Sequence, residues 1–370
     1  MQNITAEQYT GDGSIAFGDS EPVNFCDFYK VASFEALHAS MMKCIKGVLW
    51  KDTPAHFFLN NLEATLHLEK QLQNGTYIAR MPKKFKIYYP KERDIVSVHF
   101  RDRIFQRSLN DNILYPKICN GFIYDNMACQ EGKGPDKARD RLKCFLQKYY
   151  RKYGTEGYVL KCDIKGYYPN MSHKVVRDCF KKVIDGWTYK QAEIILDNQY
   201  DSEIGFNPGS QMIQIAGIGI LNAVDHFIKE QLHIKYYIRY MDDFILIHPD
   251  KTYLTECKAR LAMMLRSLDC TFNTKKTGVI PLDKGIMFLG FHFRLTDTGK
   301  VLMTINSDNV RHERRKLKKL VHLAKKDLRT REKVDECYAS WKNHVNKGNS
   351  YKLLQRMDKY YHDLWKQNDI

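Results

Sequence analysis

The stretch that most constrains the fold is KYYIRYMDDFILIH at residues 235–248, where two aspartates interrupt an otherwise apolar run. The flanking residues are mainly aromatic and β-branched, which is typical of buried strands. Adjacent carboxylates repel each other, and burying them inside one continuous strand would be costly. The pattern therefore predicts a hairpin with Asp242 and Asp243 at its tip. Such a pair either forms only a turn or presents carboxylates to a metal ion.

The charge of the chain indicates the kind of partner. Its 370 residues include 59 Lys and Arg against 43 Asp and Glu, a formal net charge of +16. This excess favours a polyanionic partner, most simply nucleic acid, and some of the 23 tyrosines could stack on bases. The longest apolar stretch, residues 215–221, is too short to cross a bilayer, so we expect no membrane partner. Ten scattered cysteines indicate reduced thiols and a cytoplasmic protein.

Apolar periodicity predicts a chain of the α+β class. The polar residues 1 to about 24 are expected to form an extension. The predicted helices lie between Phe25 and Gly75, near Arg101–Leu114, and at residues 137–153, 173–184, 189–198, 211–232, 251–268 and 308–365. The predicted strands lie in a hairpin after Tyr77 with one basic face, at residues 158–168 with a break at Gly166, in the pair at 235–248, and in a hairpin at 288–305 turned by Asp-Thr-Gly.

A third carboxylate completes a candidate site. Asp163 lies at the end of a predicted strand within residues 158–168, and it would converge with Asp242 and Asp243 if that strand and the hairpin are neighbours in one sheet. Carboxylate oxygens suit Mg²⁺, which keeps water or substrate phosphates in the rest of its coordination shell. Two such ions would support in-line phosphoryl transfer to a 3′-hydroxyl.

Six stretches, in order, resemble the motifs of reverse transcriptases. RYMDDFILI resembles the (Y/F)xDD signature, and KCDIKGYYPNMSH resembles the first metal-binding motif. PGSQMIQIAGIGILNAVDHFIKE resembles the third fingers–palm motif, and NTKKTGVIPLDKGIMFLGFHF resembles the lysine-bearing motif with the primer-grip hairpin. MPKKFKIYYPKERDIVSVHFRDRIFQ and NMACQEGKGPDKA resemble fingers motifs of prokaryotic retroelement enzymes. The resemblance covers residues 55 to about 360, and the layout is most similar to diversity-generating retroelement and bacterial antiphage-defence reverse transcriptases, which are related to the group II intron type.

The resemblance implies a right-hand polymerase, in which fingers and palm combine an antiparallel sheet with helices and the thumb is small and helical. The implied layout is an N-terminal extension and helix at 1–54, fingers at 55–157, a palm with the catalytic motifs at 158–300, and a basic helical thumb at 301–370.

The resemblance also implies a set of metal ligands. Asp163 and Asp242 would bind metal, and Asp243 would be a third carboxylate with either a direct or a supporting role. The backbone carbonyl of Ile164 would be a further ligand. One departure affects the neighbouring nucleotide contacts but not the metal site, because Ile213 stands where many relatives carry serine.

Five residues match nucleotide-binding positions of the family. Tyr168 would pack under the sugar and exclude a ribose 2′-hydroxyl, and Arg93 would contact the triphosphate. Lys133 would bring a charge near the nucleotide or template, Gln214 would face the template or nucleotide, and Lys276 would protonate pyrophosphate. The alternatives are ordinary core packing for Tyr168 and solvated surface positions for the cationic side chains.

The thumb helices would bind the phosphates of an RNA or RNA–DNA hybrid duplex, mainly by charge. Several of six cations are expected to share one helical face; the six are Arg311, Arg314, Arg315, Lys316, Lys318 and Lys319.

The implied function is RNA-directed DNA synthesis from deoxynucleotides, with two Mg²⁺ ions that Mn²⁺ could replace. The template would be a dedicated noncoding RNA, and the setting antiphage defence or a diversity-generating retroelement. Two alternatives are a template-independent or protein-primed DNA polymerase of a defence system, and a non-catalytic RNA-binding scaffold. An accessory protein or a second copy of the chain could be a further partner.

Overall fold

The computed structural model describes residues 9–10, 14–15, 23–88, 92–184, 186–199, 202–206 and 209–366. Most of the predicted polar extension lies outside these residues. The chain divides into two compact units, each assembled from three separate stretches. The first unit takes in the described residues up to Gly132 together with Asp163–His233 and Ala259–Lys275. The second takes in Lys133–Cys162, Ile234–Lys258 and the described residues from Lys276 onward.

The described α-helices, in chain order, are α1 Phe25–Ala32, α2 Phe34–Cys44, α3 Asp52–Leu59, α4 Asn61–Gln73, α5 Phe100–Leu109, α6 Tyr115–Cys119, α7 Pro135–Tyr153, α8 His173–Lys181, α9 Gly186–Gln199, α10 Gln211–Ile220, α11 Asn222–His226, α12 Lys251–Arg266, α13 Ser307–Lys325, α14 Arg331–Val345 and α15 Tyr351–Lys366. The described strands are β1 Tyr9–Thr10, β2 Ser14–Ile15, β3 Val23–Asn24, β4 Lys83–Ile87, β5 Arg93–Ser97, β6 Tyr158–Asp163, β7 Tyr236–Tyr240, β8 Asp243–His248, β9 Gly278–Pro281, β10 Ile286–Phe288, β11 Phe291–Leu295 and β12 Val301–Ile305. This mixture of helices with antiparallel strand pairs is an α+β architecture, as the sequence predicted.

The first unit is mainly helical. Helices α1, α2 and α5 pack on one another and bury Leu37, Met41, Ile104 and Phe105 completely. The hydroxyl of Ser33 accepts a hydrogen bond from the Ala36 backbone at 3.3 Å and caps the start of α2. Apolar side chains thus follow the helical period that the sequence displays.

The hairpin β4–β5 belongs to this unit and is largely exposed. Its strands pair from Lys83 opposite Ser97 to Ile87 opposite Arg93. Lys86 forms ion pairs with Glu92 at 3.1 Å and with Asp94 at 3.8 Å, so part of the predicted basic face is neutralised within the hairpin. Phe85 keeps 50% of its surface exposed, which leaves the hairpin without a tightly packed side.

A histidine links two helical segments of the first unit. The ring of His226 lies 2.8 Å from the Gly121 carbonyl through Nε2 and 2.6 Å from a Glu230 carboxylate oxygen through Nδ1. When both nitrogens are protonated, the ring can donate to both oxygens. The hydrogen bond to Gly121, and then that to Glu230, raises the pKa of His226 above its usual value.

The second unit contains a four-stranded sheet in the order β7–β8–β6–β9. Pairing is antiparallel between β7 and β8 and between β6 and β9. Helix α7 packs against β7, and the ring of the buried Tyr149 lies 5.6 Å from that of Tyr236. A second sheet joins β10, β11 and β12, and α13 packs on α14 and α15.

Two predicted elements end earlier than expected. The strand predicted at 158–168 stops at Asp163, and the chain then turns, with the Asn170 backbone donating to the Gly166 carbonyl at 2.8 Å and its side chain donating to the Lys165 carbonyl at 3.0 Å. The single helix predicted at 211–232 is broken at Leu221, whose ψ is 1°. The chain continues as α11 and a π-helical turn at Phe227–Gln231.

One further prediction needs correction in the second unit. The hairpin predicted at 288–305 starts only at Phe291, because Leu289 and Gly290 take positive φ angles of 46° and 83° and form a turn after β10. The segment predicted to be helical at 308–365 consists of the three helices α13, α14 and α15.

Candidate active site

The hairpin β7–β8 is buried along nearly its whole length. Its strands pair from Tyr236 opposite Ile247 to Tyr240 opposite Asp243, which leaves Met241 and Asp242 as a two-residue turn. Met241 has φ 56°, a left-handed conformation that costs a residue with a side chain roughly 1–2 kcal/mol. The side chains of Asp242 and Asp243 are half-buried. The predicted hairpin with two aspartates at its tip is thus present.

A buried arginine holds this turn. Arg239 in β7 has 0% of its surface exposed, and its Nη1 donates a hydrogen bond to the Met241 carbonyl at 3.0 Å. A charged donor makes one of the stronger hydrogen bonds available to a backbone carbonyl. The contact fixes the peptide that enters Asp242 and opposes the cost of the left-handed Met241. Sequence reasoning missed this role, although an arginine inside a run of buried strand residues was the available signal.

A lysine ties the start of β8 to its neighbouring strand. The Nζ of Lys161 in β6 lies 3.8 Å from Asp243 Oδ2 and donates to the Met287 carbonyl at 2.7 Å. The next residue, Cys162, is fully buried, and burial followed by the nearby Asp243 charge raises the pKa of its thiol well above the usual value. Asp243 is therefore held against β6, with a cation beside it that sequence reasoning did not identify.

Asp163 is the last residue of β6. Its backbone carbonyl accepts a hydrogen bond from the Asn273 backbone at 2.8 Å, and Ile164 forms an isolated bridge with Phe272. In the order of the sheet, β6 lies beside β8, so the adjacency of strand and hairpin that the sequence analysis required is present. Asp163 itself belongs to the first unit, and Asp242 and Asp243 belong to the second.

The carboxylates near the hairpin tip are the candidate metal ligands. Within the described ranges, no group of three or more His, Cys, Asp or Glu side chains is arranged to hold a metal ion. Mg²⁺ commonly binds through only one or two carboxylates, and substrate phosphates and water complete its shell. The neighbouring carboxylates Asp242 and Asp243 fit this mode better than that of a preformed, all-protein cage.

Tyr168 packs beside helix α10 in the first unit. A Cβ atom placed on Gly217 would lie 3.1 Å from the Tyr168 hydroxyl oxygen and 3.4 Å from the Tyr167 ring. The two tyrosine rings lie 5.4 Å apart, and the Tyr167 hydroxyl donates to the Gly217 carbonyl. The glycine thus provides the space that positions the Tyr168 ring.

Gln214 lies on the same helix and lines a cavity of about 510 Å³ in the first unit. Its side-chain oxygen lies 3.9 Å from the sulfur of Cys129, an exposed cysteine with φ 50°. The cavity is also lined by Arg107 and Asp111, which are joined by an ion pair of 2.7 Å. Burial alone would raise the pKa of Asp111. Hydrogen bonds from Lys43 and then from Arg107 outweigh burial and lower this pKa below its usual value.

The remaining predicted nucleotide contacts lie on other elements. Arg93 begins β5, and its side chain lies outside the described part of the chain. Lys133 is half-buried just before α7, and Lys276 is exposed in the turn before β9. Lys133 and Lys276 belong to the second unit, whereas Tyr168 and Gln214 belong to the first.

No helix in the described ranges is both long and apolar enough to cross a bilayer. The described cysteines are free thiols.

Comparison with known proteins gives matches only among solved structures. No protein-family model matches the chain, and no curated protein matches it. The chain is similar to a telomerase from Candida albicans solved with a fragment of telomeric RNA, with a TM-score of 0.48, 15% identity, and coverage of 79% of this chain and 56% of that one. It is also similar to an apo telomerase from Candida tropicalis, with a TM-score of 0.44, 13% identity, and coverage of 62% and 49%. The chain spans about half the length of these telomerases.

Proposed function

We propose that the protein is an RNA-directed DNA polymerase that copies a dedicated noncoding RNA. The observation that carries the proposal is the Asp242–Asp243 turn at the tip of a buried hairpin whose strand β8 lies beside β6, the strand that ends in Asp163. A solvated turn alone would not need a fully buried arginine beneath it or a lysine beside its second aspartate. The reverse transcriptase motifs in the sequence supply the reaction class.

In the proposed reaction, the 3′-oxygen of a primer attacks the α-phosphorus of a deoxynucleoside triphosphate. A phosphodiester bond forms, the bond from the α-phosphorus to the bridging oxygen breaks, and pyrophosphate leaves. The hydroxyl proton passes to solvent. Asp163, Asp242 and Asp243, with the Ile164 carbonyl, would hold two Mg²⁺ ions, which when bound neutralise charge on the phosphates.

The protein's own residues would set geometry and selectivity. Arg239 would keep the peptide before Asp242 in one orientation, and Lys161 would keep Asp243 against β6. The ring of Tyr168, supported at Gly217, would lie under the sugar and reject a 2′-hydroxyl. Arg93, Lys133, Gln214 and Lys276 would contact the triphosphate, the template and the leaving pyrophosphate.

The proposed architecture is that of a right-hand polymerase, with fingers at 55–157, a palm at 158–300 and a thumb at 301–370. The net charge of +16 supports a nucleic-acid partner. The noncoding template and a role in antiphage defence or sequence diversification rest on the resemblance of the motifs alone.

The test uses protein purified with the RNA it retains. Mg²⁺ and labelled deoxynucleotides are added, and both the RNA and any product are sequenced. We expect DNA complementary to one bound RNA, and we expect Asp242→Ala to abolish it. Asp297→Ala is the matched control, because Asp297 is an exposed aspartate in the turn between β11 and β12.

The outcomes separate the alternatives. Product unrelated in sequence to the bound RNA would favour a template-independent or protein-primed polymerase. Full activity of Asp242→Ala would refute the assigned role of the hairpin. The non-catalytic scaffold predicts that the protein binds RNA but makes no DNA on an added primer–template. It also predicts that Asp242→Ala retains the biological activity of the wild type.

A further inference from the structure

A concave surface in the second unit takes no part in the proposed reaction step, although two of its cations, Arg311 and Arg314, are among those expected to bind duplex phosphates. It is a cavity of about 930 Å³ formed by the start of α13, the loop at 346–350 and the start of α15, and we name it the α13–α15 pocket. Arg311, Arg314, Lys352 and Arg356 line it. None of the lining residues in the described part of the chain is an aspartate or glutamate. Asp308, outside the lining, forms an ion pair with Arg311 at 2.6 Å and offsets part of this charge. The pocket as a whole favours an anionic ligand.

An aromatic ring lies at the same pocket. Tyr351, the first residue of α15, has 75% of its surface exposed and lines the cavity. The side-chain amide of Gln355 donates to the Tyr351 hydroxyl at 2.9 Å, which restricts the orientation of the ring. An exposed, oriented aromatic ring among cations is the combination on which unpaired bases stack while their phosphates are neutralised.

The loop at 346–350 is preformed rather than adaptable. The Asn349 backbone donates to the Met303 carbonyl at 2.6 Å, and the Asn349 side chain accepts from the Met303 backbone at 2.8 Å. A Cβ atom on Gly348 would lie 2.6 Å from the same carbonyl and 3.1 Å from the Phe291 ring. The hydroxyl of Ser350 donates back to the Val345 carbonyl at the end of α14.

The start of α15 adds to the anionic preference. The first backbone N–H groups of an α-helix have no partner within the helix, and they carry a partial positive charge. In α15, a helix of 16 residues, these groups belong to Tyr351 and the residues after it, which line the pocket. Their effect supplements the four cationic side chains and the exposed ring.

We propose that the α13–α15 pocket binds a single-stranded stretch of RNA, with an unpaired base on Tyr351 and the adjoining phosphates on Arg311 and Arg356. A cavity of this size matches a ligand of drug-like dimensions and holds one or two nucleotides rather than a duplex. Stacking on a side chain also requires a base that is not already paired. The inference rests on the proposed function in naming RNA as the partner, and it adds a contact outside the duplex-binding role expected of the thumb.

The test measures binding without synthesis. Full-length protein freed of nucleic acid is titrated, without Mg²⁺ or nucleotides, with labelled eight-nucleotide RNA, DNA of the same length, and an RNA hairpin duplex. Anisotropy is recorded from low to high salt. RNA and DNA share the proposed chemistry, so tighter binding of RNA identifies the template-side partner, and tighter binding of DNA would assign the pocket to the product strand and refute the proposal.

The variants separate stacking from charge. We expect Tyr351→Ala to weaken single-strand binding about tenfold, Tyr351→Trp to retain it, and neither to change duplex binding. Arg311→Gln with Arg356→Gln should weaken single-strand binding and lower the salt slope by about 1.4. The matched control is Lys359→Gln with Lys366→Gln, which removes the same charge from exposed positions of α15 outside the pocket. Equal weakening by the control pair would indicate unspecific attraction and would overturn the proposal.

Crosslinking locates the bound strand independently of affinity. A 4-thiouridine oligonucleotide should attach to the tryptic peptide Gly348–Lys352, which carries Tyr351. Attachment only to other peptides would refute the assigned site. Because these measurements need no DNA synthesis, failure of the polymerase proposal and failure of the pocket proposal give different results.

Discussion

Replacing Asp102 tests whether a buried carboxylate network supports the base of the β4–β5 hairpin. Asp102 in α5 has 0% of its surface exposed. Its carboxylate accepts hydrogen bonds from the Tyr77 hydroxyl at 3.0 Å, the Arg80 backbone at 2.9 Å, and Arg101 through Nε at 3.0 Å and Nη2 at 2.8 Å. Burial, followed by the charge of Asp102, raises the pKa of Tyr77 well above its usual range, so that hydroxyl keeps its proton and stays a donor.

The magnitude follows from what the substitution leaves behind. Asp102→Ala would remove the acceptor of four hydrogen bonds and leave Arg101, whose side chain is 12% exposed, without its carboxylate. Breaking a buried charge pair in this way costs about 3–5 kcal/mol of unfolding free energy. Asp102→Asn keeps the shape of the side chain but replaces one acceptor oxygen with an NH₂ group that faces the surrounding donors. We expect this variant to lose about 2 kcal/mol of unfolding free energy.

The assay is urea denaturation followed by circular dichroism, with hydrogen exchange measured on peptides that cover β4 and β5. Exchange of these peptides should accelerate in Asp102→Ala, because the segment entering β4 loses its anchor at Arg80. The exposed Glu63 on α4 provides the control, and Glu63→Ala should change the unfolding free energy by less than about 0.5 kcal/mol. A loss below about 1 kcal/mol for Asp102→Ala, or unchanged exchange in the hairpin, would refute the reasoning.

Three further outcomes are expected. Arg239→Lys should lower the rate of nucleotide addition about tenfold or more with little change in KM, because a shorter cation cannot hold the Met241 carbonyl in the same way; an unchanged rate would contradict a positioning role. Gly217→Ala should alter the preference for deoxynucleotides over ribonucleotides, measured as the ratio of kcat/KM values, because the added methyl lies 3.1 Å from the Tyr168 hydroxyl. An unchanged ratio would show that Tyr168 does not select the sugar. The fold raises the pKa of His226 above the unfolded value of about 6.5, so protonated His226 stabilises the folded protein. This contribution to the unfolding free energy is complete below the unfolded pKa and is lost as pH rises through the folded pKa. The unfolding free energy of the wild type should therefore fall as pH rises above about 6.5, and that of His226→Gln should fall less. Parallel pH profiles of the two proteins would refute this prediction.

The hairpin β7–β8 could be predicted because its two apolar runs and its polar turn are contiguous in the sequence. The adjacency of β8 and β6 could only be assumed from the chemistry. Asp163 was predicted at the end of a strand, but the turn that replaces residues 164–168 of the predicted strand was not, because the hydrogen bonds that Asn170 makes within it leave no periodic signal in the sequence. Similarly, the break at Leu221 interrupts an apolar run that continues on both sides.

The contacts that sequence analysis missed are made by long polar side chains at buried or half-buried positions. An arginine in a strand is ordinarily expected at the surface. The place of Arg239 in a run of buried strand residues was a signal, but it does not reveal that the side chain donates to the Met241 carbonyl. Lys161 presents the same problem, because its partners Asp243 and Met287 come from distant parts of the sequence. The α13–α15 pocket joins the end of β12, a loop and two helices, so no single motif reveals it.

The order of strands in the four-stranded sheet has a consequence for the emerging chain. Strand β6 lies between β8 and β9, and both of these are synthesised later; Val159 pairs with Ile280. During translation, both edges of β6 therefore stay unpaired until β8 emerges about 80 residues later, and one edge stays unpaired until β9 emerges about 115 residues later. Its apolar residues, including Leu160 and Cys162, are a segment prone to wrong pairing in that interval. A chain that ends before β9 would leave one edge of β6 permanently open, and we expect such truncations to aggregate rather than to yield a smaller folded protein.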